Sequence, residues 1–181
     1  KIYTLSLHDA LPIYDKNSHD ITYENVQARN RTMVLMNMAN KVGGLVIGTG
    51  DMSEIALGWN TYNGDHMSMY SLNSGVPKTL IKSLIEFFKE KDTLVDILEK
   101  ILNTPVSPEL LPAKNDEITQ ETEKIIGPYE LHDFFLYHML KYGATPQKML
   151  FLANMTFGDI YDKKTIEQWL NVFIKRFFTQ Q

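Results

Sequence analysis

Apolar positions recur along most of this chain at helical spacing, and in only one short run as an uninterrupted strand-like block. From about Tyr23 to Asn40, Val26, Met33, Val34, Asn37 and Met38 keep roughly helical spacing, and Lys41 to Gly44 ends the helix with charge and glycine. Leu45, Val46 and Ile47 then read as a buried strand. Gly48, Thr49 and Gly50 force a turn, and Asp51 to Gly58 predicts the first turns of a second helix. Pro77 opens a helix with Leu80, Ile81, Leu84, Ile85 and Phe88 on one face. Asp92 to Asn103 predicts another. Tyr129 to Tyr142 carries Leu131, Phe134, Phe135 and Met139 and stops at Gly143. Thr145-Pro146 starts the next helix, and Asp162 to Gln181 places Ile166, Trp169, Leu170, Phe173 and Phe177 on one stripe. Between these elements, Asn60 to Pro77 has loop composition, and Pro105, Pro108 and Pro112 mark another loop. Asn115 to Lys124 is polar and reads as mobile. A lone strand cannot satisfy its own backbone groups, so the rest of a parallel sheet is expected to lie on sequence outside this chain.

Composition narrows the class. The 181 residues are 44% hydrophobic and 22% charged, enough for one globular domain with a real core. A net charge of -4 gives no electrostatic case for nucleic acid. With no cysteine there is no disulfide, zinc-thiolate site or cysteine nucleophile, and the five histidines show no metal-ligand spacing. No apolar run approaches the roughly 20 residues that span a bilayer. Lys1 to Ile13 has no clear link to the rest of the chain and lacks the layout of a signal peptide. It reads as a non-native, adapter- or vector-like segment, which leaves 14–181 as the domain.

Candidate chemistry falls at the strand, glycine turn and helix between Leu45 and Gly58. In this arrangement ligands sit beyond the carboxyl end of a parallel sheet, and helix-start N–H groups face an anion. Lys78 sits in a first helical turn, where a cation opposes the helix dipole; a nearby anion explains it more easily than solvent does. Asp51 and Glu54 also have the spacing of a capping box. Trp59 reads as core, or as a ring platform for a heterocycle. His132-Asp133 reads as structural, His66 is open either way, and no residue is an obvious nucleophile.

Three long runs, Tyr23–Arg29 (YENVQAR), Gly48–Trp59 (GTGDMSEIALGW) and Gly64–Tyr70 (GDHMSMY), closely resemble the synthetase domain of glutamine-dependent NAD synthetases. Val76–Leu80 (VPKTL) and Gly127–Phe134 (GPYELHDF) extend the likeness, which covers about Ile21 to Gln181. The resemblance implies an α/β, Rossmann-like fold of the PP-loop ATP pyrophosphatase group, truncated here so that helices dominate. It implies ATP- and magnesium-dependent adenylation of the nicotinate carboxylate of deamido-NAD, followed by attack of ammonia to give NAD, AMP and pyrophosphate. In residues, it implies Thr49 and Lys78 for ATP. Asn25, Glu54, Trp59, Asn60, Thr61, Tyr62 and Asp65 would bind deamido-NAD, with Glu54 also at the magnesium position.

The family's serine-glycine-glycine phosphate loop does not occur before Asn25, and its basic C-terminal tail and glutaminase domain are not seen. The chain is therefore expected to be an internal fragment, inactive or nearly so by itself. Its parent would be a cytoplasmic ligase, homo-oligomeric, taking ammonia from glutamine through the glutaminase domain, with no nucleic-acid or membrane partner. Two alternatives stand beside this: another PP-loop ligase or amidotransferase, and a non-catalytic helical interaction fragment.

Overall fold

The structure, a computed structural model, describes residues 20–64, 66–89, 95–104 and 122–180. The long helix α1 (Ile21–Val42) starts where the Asp20 carboxylate accepts the Thr22 and Tyr23 amides, and ends on Gly43 in the left-handed region. Strand β1 (Ile47–Gly48) follows, then the short helix α2 (Met52–Leu57). Strand β2 (Tyr70–Ser71) runs parallel to β1, with Ile47 opposite Tyr70 and Gly48 opposite Ser71. Helices α3 (Lys78–Lys89) and α4 (Val95–Asn103) pack on each other. The rest is α5 (Thr122–Ile126), α6 (Tyr129–Tyr142), α7 (Pro146–Phe157) and α8 (Lys163–Thr179).

The core is helix on helix. Helices α6, α7 and α8 pack mutually, and α2 lies across α6 and α8. Leu57, Ile126, Leu131, Phe135, Met149, Ile166, Leu170 and Phe173 are buried together there. Each chain reversal has a local cause. Gly143 ends α6 in the left-handed region; Thr145 and Pro146 start α7, and the Asp162 carboxylate starts α8 by accepting the Thr165 amide at 2.7 Å. Close approach fixes two glycines. A Cβ on Gly48 would collide with the Ser68 side chain, and one on Gly58, at φ +57°, would collide with Gln180.

Several expectations change. The buried strand Leu45–Ile47 is instead Ile47–Gly48 and lies open, with Leu45 59% and Ile47 50% exposed. Among the described residues it pairs on one edge only, and no helix packs closely over it. Its partner β2 lies inside the stretch read as loop. Two residues among serine, asparagine and glycine leave no periodicity to detect. In α1 the buried positions are Ala28 and Ala39, while Met33, Val34 and Met38 are exposed. The helix is held through small residues and polar contacts rather than through its large apolar ones. Residues 122–124, read as mobile, open α5. The start of the predicted helix Asp92–Asn103 and the whole segment 105–121 lie outside the described residues.

Candidate active site

The site is built where β1, α2, α3 and α6 meet. Beyond β1 the chain passes through Thr49 and Gly50 to Asp51, whose carboxylate caps α2 by accepting the Glu54 amide at 2.8 Å. Glu54 reaches back toward the Asp51 amide at 3.4 Å, completing the capping box anticipated from their spacing. Lys78, in the first turn of α3, closes the arrangement. Its ammonium lies 2.7 Å from Asp51 Oδ2 and 2.8 Å from Glu54 Oε1. The anion that a lysine at this helix start calls for is thus two carboxylates of the protein itself. Their side chains are 2% exposed for Asp51, 27% for Glu54 and 21% for Lys78. The same ammonium lies 5.2 Å from the centroid of the buried Tyr129 ring.

Charge and burial shift these groups. Burial raises the Glu54 carboxyl above the ordinary carboxylate range, and the Asp51 charge adds to it; the Lys78 contact opposes both. Burial pulls the Lys78 ammonium down, but the hydrogen bonds and charges of Asp51 and Glu54 more than offset this and hold it above its usual value. Burial, then the charges of Glu54, Asp51, Glu123 and Asp133, push the Tyr129 phenol well up, so it stays neutral. Lys78 accordingly stays cationic across physiological pH, shared between one fully buried carboxylate and one more open one.

A second group gathers at α1. Thr61 Oγ1 donates to Asn25 Oδ1 at 3.0 Å; Arg29 Nε donates to the Tyr62 carbonyl at 3.0 Å, and Thr32 Oγ1 to the Gly64 carbonyl at 2.6 Å. Asn25 and Thr61, 36 positions apart in the chain, are thereby brought together. Asn60 and Tyr62 are exposed beside them, and Asp65 lies outside the described residues. Thr49 is exposed at the turn. Trp59 packs against the core, and the Arg176 guanidinium lies 5.1 Å from its ring centroid, so part of this ring is already engaged within the chain.

The structure adds residues that spacing does not reveal. Asp133, read as structural, is buried and accepts Ser53 Oγ, and at 2.9 and 2.7 Å the Thr79 amide and hydroxyl. Ser53 Oγ in turn accepts the Lys78 amide at 2.9 Å. His132, its neighbour, donates from Nε2 to the Ile126 carbonyl at 2.7 Å; burial holds its pKa down, so it stays neutral between Trp169 and Phe173. It is a core residue, as expected. Arg176 of α8 donates to the Leu57 and Gly58 carbonyls at 2.9 and 3.4 Å. No sequence signal links Arg176 to a turn 118 positions away.

Comparison with known proteins gives consistent matches. The family model described as NAD synthase matches residues 3–169. Glutamine-dependent NAD(+) synthetase from Mycobacterium leprae is 42% identical over 183 residues, covering 90% of this chain and 27% of the relative. The Acinetobacter baylyi protein of the same description is 32% identical over 157 residues, covering 87% of this chain and 27% of the relative. The chain thus spans about a quarter of the length of these relatives. Its fold is shared with a glutamine-dependent NAD(+) synthetase from Cytophaga hutchinsonii, at TM-score 0.63 and 23% identity, covering 90% of this chain and 24% of that one. It is also shared with an NMN synthetase from Francisella tularensis, at TM-score 0.55 and 23% identity, covering 84% of this chain and 52% of that one.

Proposed function

The chain belongs to the NAD synthase family, and on that premise we propose that it supplies part of the synthetase centre of a glutamine-dependent NAD synthetase, a ligase of NAD biosynthesis with a Rossmann-like PP-loop domain. In this reading the nicotinate carboxylate of deamido-NAD attacks the α-phosphorus of ATP. The bond from that phosphorus to pyrophosphate breaks, leaving an acyl adenylate. Ammonia then forms the new C–N bond, AMP leaves with the C–O electron pair, and the nitrogen loses a proton. The reaction needs no protein nucleophile.

The observation that carries the reading is the Lys78 ammonium held at the turn beyond β1 by Asp51 and Glu54. There a fixed cation meets the negative charge that builds on departing pyrophosphate. Thr49 and Lys78 face ATP. Asn25 and Thr61, with Trp59, Asn60, Tyr62 and Asp65, hold the dinucleotide. Glu54, the more open of the two carboxylates on Lys78, would hold magnesium, which takes one or two protein carboxylates and completes its shell with water and substrate phosphates. When bound, the ion neutralises phosphate charge. Glutamine-derived ammonia, a homo-oligomer and a cytoplasmic location belong to the same reading.

The test is label exchange between pyrophosphate and ATP in the full-length protein that carries this chain. Exchange that requires deamido-NAD and magnesium is expected. Exchange driven by a different acid would favour another PP-loop ligase, and no exchange by the folded protein would overturn the reading.

A further inference from the structure

The geometry points to Asp133 as the residue that positions the phosphate-facing lysine. This rests on the proposal that Lys78 meets the ATP phosphates and adds to it a buried group from another helix. The first-turn amides of α3 need acceptors. Two of them find theirs across the structure: the Thr79 amide on Asp133 Oδ2 at 2.9 Å, and the Lys78 amide on Ser53 Oγ at 2.9 Å. Ser53 Oγ itself donates to Asp133 Oδ1. One carboxylate on α6 therefore holds both the residue after Lys78 on α3 and the residue before Glu54 on α2. It lies inside the protein, so it does not touch substrate; it acts by fixing the separation of two helix starts. The 2.7 and 2.8 Å contacts of Lys78 with Asp51 and Glu54 depend on that separation. Its negative charge also complements the start of α3, where Lys78 opposes the dipole. His132-Asp133 is thus not a catalytic pair. The two side chains part, His132 into the aromatic core and Asp133 to the α2–α3 junction.

A purely structural role and a positioning role differ in one readout, the coupling to Lys78. Affinity for magnesium with α,β-methylene ATP, a non-hydrolysable analogue, is measured by calorimetry in the full-length protein for wild type, Asp133→Asn, Lys78→Ala and the double variant. A hydrogen bond from a charged group is worth roughly 10- to 100-fold in affinity, so Asp133→Asn, which releases Lys78 from its place, is expected to weaken binding by up to about that factor. In the Lys78→Ala background the same change should cost less than about twofold, because the two act as one unit. Equal weakening in both backgrounds, or wild-type affinity in Asp133→Asn, overturns the inference. If Lys78→Ala binds like wild type, the proposed role of Lys78 falls as well, which separates the two failures. Should Asp133→Asn not fold, Ser53→Ala removes the link from Asp133 Oδ1 to the Lys78 amide and leaves the bonds of Thr79 to Asp133 in place, and the same coupling decides.

Discussion

Replacing Lys78 by Met tests the electrostatics of the site without any ligand. Methionine keeps most of the apolar stem but leaves Asp51 and Glu54 facing each other without a counter-charge. Removing one partner of a fully buried ion pair costs about 3–5 kcal/mol. Here Asp51 is 2% exposed, but Glu54 and Lys78 are 27% and 21% exposed. Solvent takes up part of the cost, and about 2–3 kcal/mol is expected near neutral pH. That moves a urea midpoint down by roughly 1 M. Trp59 and Trp169, the two tryptophans of the chain, both pack on the core, so their fluorescence follows unfolding. The pH dependence carries the sharper test. Glu54 already has a raised folded pKa, so between its ordinary and raised values the folded state binds more protons and stability falls as pH rises. Losing Lys78 raises that carboxyl further and widens the window. The deficit of the variant should therefore shrink as pH falls toward the ordinary carboxylate range. The raised ammonium of Lys78 contributes stability that is fully present below its ordinary value near 10.5 and is lost as pH rises through the folded one. Wild type should thus converge on the variant at the alkaline end too. A variant within about 0.5 kcal/mol of wild type at pH 7, or a deficit that does not close on acidification, would refute the account.

The same geometry sets three other outcomes. Phe173→Ala removes a ring buried against His132, Phe135 and Phe177 and should cost about 3–5 kcal/mol in urea unfolding. Gly58→Ala, at φ +57° with Gln180 in the way, should lose more than about 1 kcal/mol, and a neutral result would mean the chain end does not pack there. Asn25→Ala breaks the bond to Thr61 and, on the proposed reading, should raise KM for deamido-NAD roughly tenfold with KM for ATP unchanged. A change confined to ATP would move Asn25 to the other substrate.

Helix positions were legible in the sequence because apolar stripes and caps are local. Tyr129–Tyr142 falls where the stripe and the two flanking glycines put it, and the Asp51–Glu54 capping box forms as spaced. Lys78 was legible as a cation in need of an anion. The choice of Asp51 and Glu54 was not, because those partners lie 24 or more positions away. Strand β2 and the roles of Ser53, Asp133 and Arg176 were hidden for the same reason: each depends on a partner set by tertiary packing. The exposure of Ile47 was misjudged because an apolar triplet carries no information on whether anything covers it.

The anchoring of α2 by α8 also sets an order of events during synthesis. Arg176 meets the Leu57 carbonyl across 119 positions, and Gln180 packs on Gly58. At about 5–20 residues per second, Arg176 is made roughly 6–24 s after Leu57. Through that interval the end of α2 has no cap from α8, and the carbonyls it leaves open must be met by water. Asp133, which ties Ser53 and Thr79, precedes Arg176 in the chain. Synthesis therefore supplies the charged cluster first, Asp133 next, and the cap on the turn after α2 last.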